Sequence, residues 1–498
     1  MNPINYPQLL QLALPQITVV VTAFVVMTVD LLFLRKQASR VRFAVAASLA
    51  AIGCTVAIAH ILLTSGQANI LDGTLIANPL THLVQIAILS LTIFTLLISV
   101  DSTFTEHVGE YVLLILLATT GMMFLVASQD LLVIFVSLEL LSLSLYTLAA
   151  FSKRSGQSWE AALKYFLFGG MSAAFLLFGF SLLYGFSNST SLQGIAATIQ
   201  GPALNPFLAI AIVTTAIGLG FKIAAAPFHF WAPDVYQAAP APSAAFIASG
   251  SKVASFFIFF QIVTIGFVGA GGTATLPHLV RGWIPVLALM AAASMLLGNL
   301  VAIRQTSLRR LLAYSAIAHA GYMLLAMLAH TQQSLAALLY YVVTYALATL
   351  GAFAVISVVE AQKGSDHISH FEGLSRQAPV LSFCLAIFIL SLAGIPPLAG
   401  FFGKFYLFVT VLASTPRTAD LLWLVALAIA MSAVSLYYYL RVLKAMYVAP
   451  PAAAVEEFRS PILSQILVAV LAVAVILLGC APHLLLKPIL AAIQASGL

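Results

Sequence analysis

Four lysines and one glutamate of this chain lie inside long apolar stretches: Glu139, Lys164, Lys222, Lys252 and Lys404. An ionised side chain at the centre of a bilayer costs about 2.5–3.5 kcal/mol on insertion scales. Such residues are therefore usually paired with one another, or they line a path that holds water. Carboxylates and amines placed in series across a membrane can pass a proton from one to the next.

Glu139 lies in the stretch LLVIFVSLELLSLSLY, nine residues after Asp130. At a rise of about 1.5 Å per residue this is about 13 Å along a helix, near the middle of a membrane. Ser142 and Tyr146 follow at spacings that place them on the same helical face as Glu139. We expect Glu139 to be a titrating carboxylate on a proton path. The alternative is a neutral, hydrogen-bonded structural glutamate.

Lys252 lies ten residues into its apolar stretch, too deep for its ammonium group to reach the interface by snorkelling. Ala248 and Ser255 flank it, and small neighbours allow close helix approach and leave room for water. Lys164 lies in the first turns of the sixth apolar stretch, where snorkelling remains an open alternative. We expect it to lie near Glu139 and to form a pair whose protonation responds to their separation.

Lys222 and Lys404 each lie beside prolines that should interrupt a membrane helix. Pro227 follows Lys222 by five residues, and Pro396 and Pro397 precede Lys404 in GIPPLAGFFGK. Proline has no N–H to donate, and its ring clashes with the preceding turn. The freed backbone groups must be satisfied by protein or water. Each break therefore predicts a polar pocket in which a lysine can gain and lose a proton.

Two histidines are further candidates for proton transfer. His229 falls in or near the predicted break of the seventh apolar stretch. His319 shares a helical face with Ser315 and Tyr322. A core histidine bonded to a hydroxyl is the common explanation for such a residue, but its place among the other ionisable groups favours a relay role. Asp30, near the end of the first stretch, is expected to be an interfacial residue.

The elements that position these side chains must be membrane helices. Of the 498 residues, 62% are hydrophobic and only 7% are charged, whereas soluble domains carry roughly 25% charged residues. The composition predicts an all-α polytopic membrane protein and argues against nucleic-acid binding. Window hydropathy gives about fourteen transmembrane helices. Their approximate bounds are 8–34, 42–64, 79–100, 110–128, 130–151, 162–186, 206–226, 242–268, 281–303, 309–330, 335–360, 379–413, 420–447 and 461–486.

The lysines and arginines between the spans are distributed unevenly. If the N-terminus is outside, the inner loops hold 14 of them, from Arg35 to Arg459, and the outer loops hold 3: Arg281, Arg417 and Lys487. Because inner loops of membrane proteins carry the excess of positive residues, both termini are expected outside. The remaining four lysines are the candidates inside the membrane.

Spans four to eight and nine to thirteen form two blocks of five helices. Blocks of odd length insert with opposite topology, and broken segments at matching positions indicate an inverted-repeat transporter. We therefore expect two inverted five-helix repeats, each with one proline-broken helix, related by an approximate two-fold axis in the membrane plane. The expected parts are an N-terminal three-helix segment (1–109), the first repeat (110–268), the second repeat (281–447) and a C-terminal transmembrane helix (461–498).

Patterns that bind redox cofactors or metals are not found in the sequence. It contains no Walker A sequence, no dinucleotide-binding glycine pattern and no cysteine–histidine cluster. Its three cysteines, Cys54, Cys384 and Cys480, lie in apolar runs without metal-ligand spacing. We expect no cofactor and no metal in this chain, so any redox energy must come from another polypeptide.

Three stretches resemble the antiporter-like subunits of respiratory complex I, the proton-pumping NADH–quinone oxidoreductase. They are PFHFWAPDVYQAAPAPSAAFIASGSKVASFF, SLRRLLAYSAIAHAGYML and LSLAGIPPLAGFFGKFYLF. The resemblance extends from about residue 10 to about residue 490. Tyr236 stands where the sister subunits M and L typically have histidine, and the broken twelfth span carries lysine where subunit M has glutamate. The chain also lacks the long lateral helix of subunit L, so the resemblance favours the subunit N branch.

The resemblance implies that Glu139, Lys164, Lys222, Lys252 and Lys404 match the family's protonatable residues on helices five, six, seven, eight and twelve. It also implies that NADH, flavin, iron–sulfur clusters and quinone bind to other subunits. The implied partners are the other membrane subunits, especially subunit M and the small subunits, in the lipid bilayer of a bacterial inner membrane with both termini periplasmic. The eleventh span, LYYVVTYALATLGAF, departs from the pattern, since it has no lysine or histidine. A proton path there must use hydroxyls and water.

Three other interpretations remain open. A subunit of a multisubunit cation/proton antiporter shares the broken helices and the lysine–glutamate pairs, although Tyr236 and the chain length argue against it. A hydrogenase-linked homologue is harder to separate, and neighbouring genes would decide between these classes. A structural membrane scaffold would tolerate replacement of Glu139, Lys222 or Lys404 without loss of coupled activity.

Overall fold

The computed structural model describes residues 6–64, 67–102, 104–199, 205–274, 279–414, 421–450, 458 and 460–497. Arg417 and Arg459, which contributed to the charge count, lie outside the described residues.

The described chain is almost entirely helical, which confirms the predicted all-α polytopic class. The α-helices are α1 (Tyr6–Leu12), α2 (Leu14–Val29), α3 (Ser39–Leu63), α4 (Pro79–Ile98), α5 (Val108–Val126), α6 (Leu131–Ala149), α7 (Gly156–Ser187), α8 (Leu192–Thr198), α9 (Pro206–Lys222), α10 (Trp231–Ala238), α11 (Ala241–Ala248), α12 (Gly250–Gln261), α13 (Trp283–Ala302), α14 (Leu308–Ala329), α15 (Gln332–Lys363), α16 (Leu374–Gln377), α17 (Pro379–Ala393), α18 (Ala399–Ser414), α19 (Leu422–Tyr447), α20 (Ile462–Cys480) and α21 (His483–Ser496).

The remaining regular elements are short. Two π-helical turns cover Asp30–Leu34 and Ile262–Gly266, and three 3₁₀ turns cover Ser99–Asp101, Val268–Ala270 and Ile368–Phe371. Strands β1 (Ala68–Ile70) and β2 (Leu75–Ala77) pair as an antiparallel hairpin, as do β3 (Thr273–Ala274) and β4 (Leu279–Val280).

Within the described residues, 12 helical stretches are long and apolar enough to cross a membrane, and one of them contains the short break at Ser249 between α11 and α12. Two further crossings are interrupted, one made of α9 and α10 and the other of α17 and α18. Each of the predicted spans overlaps one of these crossings. The two-fold relation between the repeats and the four-part division of the chain stay predictions.

Side chains cap several helix ends, where four backbone N–H groups lack intrahelical partners. Asn78 accepts from the backbone of Thr81 at the start of α4, and Ser307 accepts from Arg310 at the start of α14. Asp130 accepts from the first turn of α6 and also binds the Thr190 hydroxyl at 2.5 Å. These N-terminal caps fix where each helix begins after the chain has turned to cross the membrane again.

The loops at one end of the bundle are joined to each other through their backbones. Ser307 and His367 form an isolated β-bridge, and Gly373 N donates to Ala445 O. We call this end the basic face, because Arg309 and Lys363 lie there. The β1–β2 hairpin and the loop that precedes α6 lie at the opposite end, where Ile76 N donates to Ala127 O.

Asp30, expected to be interfacial, is instead fully buried in the protein. Its carboxylate accepts from Arg42 Nε at 2.8 Å, from Arg42 Nη2 at 2.5 Å and from Gly109 N at 3.0 Å. The Arg42 guanidinium on α3 lies beside the buried carboxylate, and this pairing offsets the cost of removing the charge from water. The pair ties the first two membrane helices to α5.

The C-terminal region differs from the predicted single span over 461–486. Helix α20 ends at Cys480, and the separate helix α21 then packs against α4 and α15. Pro482 explains the break, because a residue before proline disfavours the helical conformation and Ala481 adopts φ −130°, ψ 65°.

Candidate functional site

Two membrane crossings are interrupted where the prolines predicted it. Helix α9 ends at Lys222 and α10 begins at Trp231, while α17 ends at Ala393 and α18 begins at Ala399. The predicted non-helical gaps near Pro227 and at Pro396–Pro397 are confirmed. The two lysines differ in placement, however: Lys222 precedes its gap and Lys404 follows its gap.

The Lys404 ammonium binds the carbonyls that the second gap sets free. Lys404 Nζ donates to Leu392 O and Ala393 O, each at 3.1 Å. In a continuous helix these carbonyls would accept from the residues four positions later. Those residues are Pro396 and Pro397, which have no N–H. The double proline thus creates the acceptors that the buried lysine needs.

Two further groups surround the same ammonium. Lys404 Nζ donates to Ser432 Oγ at 2.9 Å and lies 5.2 Å from the centre of the Tyr322 ring. The Lys404 side chain is 4% exposed, so it does not face lipid. The alternative of a simple proline kink with an outward-facing lysine is therefore excluded.

The gap between α17 and α18 closes tightly around Gly400. Gly400 N donates to Ser391 Oγ at 3.1 Å, and a Cβ atom on Gly400 would overlap the Ser391 carbonyl oxygen. Glycine is required here because the backbones of two half-helices approach each other directly.

We predict that Gly400→Ala destabilises the protein, since overpacking of this kind costs about 1–3 kcal/mol. The measurement is the thermal unfolding temperature of the detergent-purified protein. Gly170→Ala is the matched control, because an added Cβ on that α7 glycine meets no atom within 4 Å and alanine favours the helix. Equal unfolding temperatures for Gly400→Ala and wild type would show that the gap tolerates the methyl group.

Lys222 is linked to the helix that carries Glu139 through a hydroxyl. Lys222 Nζ donates to Ser142 Oγ at 2.9 Å, and Ser142 Oγ donates to Leu138 O at 2.6 Å. Glu139 lies one turn before Ser142 on α6 and is half-buried. No ion pair within 4 Å joins Lys222 and Glu139, both of which the structure describes. The arrangement places a buried amine on the hydroxyl of Ser142, one helical turn from the residue that carries the carboxylate.

Lys252 is 1% exposed, and its ammonium binds the backbone of a neighbouring helix. Lys252 Nζ donates to Ala316 O at 2.8 Å and lies 5.4 Å from the centre of the Tyr345 ring. The predicted continuous span over 242–268 is interrupted at Ser249, which adopts φ −115°, ψ −83° and separates α11 from α12. Ser249 and Gly250 are the signal that the sequence offered, since both are weak helix formers.

His319 joins two tyrosine hydroxyls in the protein interior. Its Nδ1 lies 2.7 Å from Tyr341 Oη, and its Nε2 lies 3.3 Å from Tyr439 Oη. Its ring is 5.0 Å from that of Tyr345 and 5.7 Å from that of Tyr322. Because hydroxyls can donate or accept, a proton can leave the imidazole from either nitrogen. Tyr341 and Tyr439 were missed from the sequence, although clustered tyrosines in spans eleven and thirteen are the signal that marks them.

Lys164 does not pair with Glu139, as the sequence analysis expected. Lys164 Nζ lies 2.8 Å from Glu160 Oε1 and 2.9 Å from Asp234 Oδ2, and its side chain is 41% exposed. Asp234 lies on α10, the half-helix that follows the first gap, and the gap lets it reach α7. The expected Lys164–Glu139 pair is therefore wrong for the described residues, because two nearer carboxylates hold the ammonium.

His229 lies inside the first gap and is buried, with its ring stacked 4.5 Å from that of Phe230. Its Nδ1 has no hydrogen-bond partner among the described residues. It lines a cavity of about 490 Å³ together with Lys164, Asp234 and Arg310. Arg310 Nη1 also binds Asp234 Oδ1 at 2.9 Å. Asp234 and Arg310 were not predicted, since only the fold brings them to His229.

The site lies within a region that matches a known family. Residues 128–432 match the family described as NADH:quinone oxidoreductase/Mrp antiporter, TM. The chain is 54% identical over 496 residues to "NADH-quinone oxidoreductase subunit N 2" of Acidobacterium capsulatum, covering 98% of this chain and 99% of that protein. The chain belongs to the subunit N family of NADH-quinone oxidoreductases. The resemblance carried by the three sequence stretches is therefore confirmed.

Two solved structures share the fold of this chain but differ in their sequence identity to it. A chain of "Respiratory complex I from Thermus thermophilus with bound Aureothin" is 34% identical, with a TM-score of 0.77 and coverage of 95% of this chain and 98% of that chain. A chain of "Structure of Mrp complex from Dietzia sp. DQ12-45-1b" has a TM-score of 0.81 but only 19% identity, covering 97% of each chain. The second likeness shows the shared fold alone. The subunit N family is thus favoured over the cation/proton antiporter.

Proposed function

We propose that this chain is the proton-translocating, antiporter-like subunit N of the membrane arm of an NADH-quinone oxidoreductase, and that Glu139, Lys222, Lys252, His319 and Lys404 carry the protons. Membership of the subunit N family supports the first part. The observation that carries the second part is the placement of three buried lysines against a hydroxyl or a backbone carbonyl inside the bundle. Such contacts satisfy the hydrogen bonds of the ammonium groups inside the bundle, and a neighbouring hydroxyl or water would accept each proton that an amine releases.

The first gap is the proposed entrance for protons. The cavity that contains His229 is lined by Lys164, Asp234 and Arg310, and Arg310 lies near the start of α14 at the basic face. A buried imidazole nitrogen without a protein partner needs water beside it. His229 would take protons from that water and pass them toward Lys222, which ends the helix before the same gap.

The second half of the bundle is the proposed exit. His319 contacts Tyr345, whose ring lies beside the Lys252 ammonium, and Tyr322, whose ring lies beside the Lys404 ammonium. These contacts form a series from Lys252 to Lys404. Lys404 would release protons toward the face opposite the basic face or toward the neighbouring subunit.

The orientation and partners follow from the same proposal. The excess of lysines and arginines on the basic face supports a cytoplasmic position for that face, with both termini periplasmic, in a bacterial inner membrane. The chain would bind no cofactor itself. NADH, flavin, iron–sulfur clusters and quinone would be held by partner subunits, and subunit M and the small membrane subunits would be its neighbours.

We predict that Ser142→Ala lowers quinone-coupled proton pumping severalfold, because it removes the hydroxyl that accepts from Lys222 one turn from Glu139. The loss should be partial, since water can replace a single hydroxyl. The measurement is the initial rate of proton uptake into proteoliposomes that contain the intact oxidoreductase, started by NADH and quinone.

Ser144→Ala is the matched control for this experiment. Ser144 is buried on the same helix, and its hydroxyl donates to Leu140 O of its own helix at 2.8 Å. We expect it to pump at nearly the wild-type rate. Equal rates for both variants would remove the Lys222–Ser142 contact from the pathway and would favour a structural scaffold.

A further inference from the structure

The last membrane crossing is also interrupted, and its two helices run antiparallel to α4. Ser464 Oγ, near the start of α20, donates to Asp101 Oδ2 just beyond the end of α4 at 2.9 Å. Leu80 N, at the start of α4, donates to Ser496 Oγ at the end of α21 at 3.3 Å. Helices α20 and α21 therefore share one crossing, and the chain breaks between them just before Pro482.

This break frees a backbone carbonyl, and a tyrosine hydroxyl binds it. In a continuous helix Leu478 O would accept from the residue four positions later, which is Pro482 and has no N–H. Tyr340 Oη of α15 donates to Leu478 O at 2.7 Å instead, and Tyr340 is fully buried. The second gap is built in the same way, since Lys404 there binds the carbonyls that the double proline frees.

The last turn of α20 lies directly on the loop of the second gap. A Cβ atom on Gly479 would overlap the Pro397 carbonyl oxygen and the Ala399 nitrogen, so the two backbones touch with no side chain between them. The Cys480 thiol lies 4.0 Å from the same Pro397 oxygen. Helix α20 also packs against both half-helices of the gap, α17 and α18. The end of α20 therefore fixes the place where α18 begins.

Tyr340 links this break to the half-helix α18. Its ring packs edge-on against that of Phe402, with centroids 5.4 Å apart, while its hydroxyl holds the end of α20. The next residue, Tyr341, packs on Gly403 so closely that a Cβ atom there would overlap its ring. Two adjacent tyrosines of α15 thus contact the two residues that precede the buried lysine of α18.

We propose that the break between α20 and α21 supports the second gap, and that Tyr340 and Gly479 are positioning residues for Lys404. The Lys404 ammonium belongs to α18, whereas the two carbonyls that it binds belong to α17. Its hydrogen bonds therefore depend on how the two half-helices are placed, and α20 contacts both of them. The role in proton transfer rests on the proposed function, whereas the support of the gap does not.

The first test is structural and uses Gly479→Ala in the intact oxidoreductase. In a high-resolution map we expect the start of α18 to be displaced and Lys404 Nζ to lie more than about 3.5 Å from Leu392 O or Ala393 O. Gly185→Ala is the matched control, because an added Cβ on that α7 glycine meets no atom within 4 Å. Unchanged Lys404 contacts in an assembled Gly479→Ala complex would overturn the proposal.

The second test measures quinone-coupled proton uptake into proteoliposomes at equal subunit content. Tyr340→Phe keeps the ring and removes only the hydroxyl, so it should assemble normally. We expect it to lower pumping about fivefold, the effect of losing one hydrogen bond. Gly479→Ala should lower it at least about tenfold, because displacement of a reacting group slows transfer steeply.

The pH dependence of pumping separates positioning from a loss of stability. Besides the carbonyls of α17, the groups that face the Lys404 ammonium are Tyr322 of α14 and Ser432 of α19, and the His319 ring packs against Tyr322. An ammonium that loses a carbonyl acceptor releases its proton more readily. Pumping by Tyr340→Phe should therefore begin to fall about one pH unit lower on the alkaline side. The wild-type pH profile in both variants would overturn the positioning role.

Tyr111→Phe is the matched control for the second test. Tyr111 is fully buried on α5, and its hydroxyl accepts from Ser243 Oγ at 3.4 Å, away from the second gap. We expect the wild-type rate and the wild-type pH profile. An equal loss in Tyr111→Phe and Tyr340→Phe would show that the effect is not specific to the gap.

Lys404→Met separates the two levels of the hypothesis. If it is defective while Tyr340→Phe and Gly479→Ala pump with the wild-type rate and pH profile, the proposed function stands and the positioning role fails. If Lys404→Met pumps at the wild-type rate, the proposed function fails at this lysine, and the support of the gap is judged by the map alone.

Discussion

Glu139→Ala is expected to lower quinone-coupled proton pumping by at least about a hundredfold, the scale of effect of a lost proton-transfer group. Oxidation of NADH by an artificial electron acceptor should stay near normal, because that reaction would take place on partner subunits. Glu139 is the only acidic residue between Asp130 and Glu160. It lies one turn from the hydroxyl that binds Lys222, so no other carboxylate on α6 can replace it.

The companion variants separate proton transfer from packing. Glu139→Gln keeps the size and hydrogen-bonding capacity of the side chain but cannot ionise, and it should be nearly as defective as the alanine variant. Glu106→Gln is the control, since that carboxylate is 83% exposed and lies outside the bundle. Rates of proton uptake and NADH:quinone reduction are measured on complexes of equal subunit content. Wild-type rates in an assembled Glu139→Ala complex would refute the role of this carboxylate.

The sequence was most informative where a residue type is unusual for the segment that contains it. A lysine in an apolar run and a proline in a membrane helix are each unfavourable unless the fold compensates. The two features predicted both gaps and the burial of Lys222 and Lys404. The link between them is local: Pro396 and Pro397 deprive two carbonyls of their N–H partners, and Lys404 binds those same carbonyls.

Contacts between distant segments could not be predicted in the same way. Lys164 and Asp234 are 70 residues apart, and their pairing depends on the path of the chain through the first gap. The sequence placed Lys164 near Glu139 because their helices are consecutive, but it could not give the rotation of α7. Tyr341 and Tyr439, which contact His319, were missed for a related reason. The chain has 16 tyrosines, so only the packing shows which hydroxyls contact the imidazole.

Breaks without proline were also hard to foresee. Ser249 interrupts the eighth span three residues before Lys252, although serine and glycine often occur in intact membrane helices. The interruption is set by tertiary packing, which overrides the weak local preference. As a result, all three buried lysines lie within a few residues of a helix break, a regularity that the sequence showed for only two of them.

Lys252→Arg should reduce quinone-coupled pumping at least about tenfold although it preserves the positive charge. A lysine can alternate between its charged and neutral forms, whereas arginine stays protonated in proteins. Lys252 is fully buried, and its ammonium donates to Ala316 O beside the Tyr345 ring. If protons pass through this amine, a side chain that never releases its proton must block the step.

The size of arginine is the competing explanation for such a defect, and two further variants test it. Lys252→Met has the length of lysine without a charge, so it fits the site and should be equally defective if proton exchange is the cause. Lys363→Arg is the control, because Lys363 Nζ binds His370 O at 2.7 Å near the basic face and needs only its charge. Pumping rates are compared at equal complex content and equal thermal stability. Full pumping by an assembled Lys252→Arg complex would rule out proton exchange at Lys252 and would leave this lysine as a fixed charge that biases its neighbours.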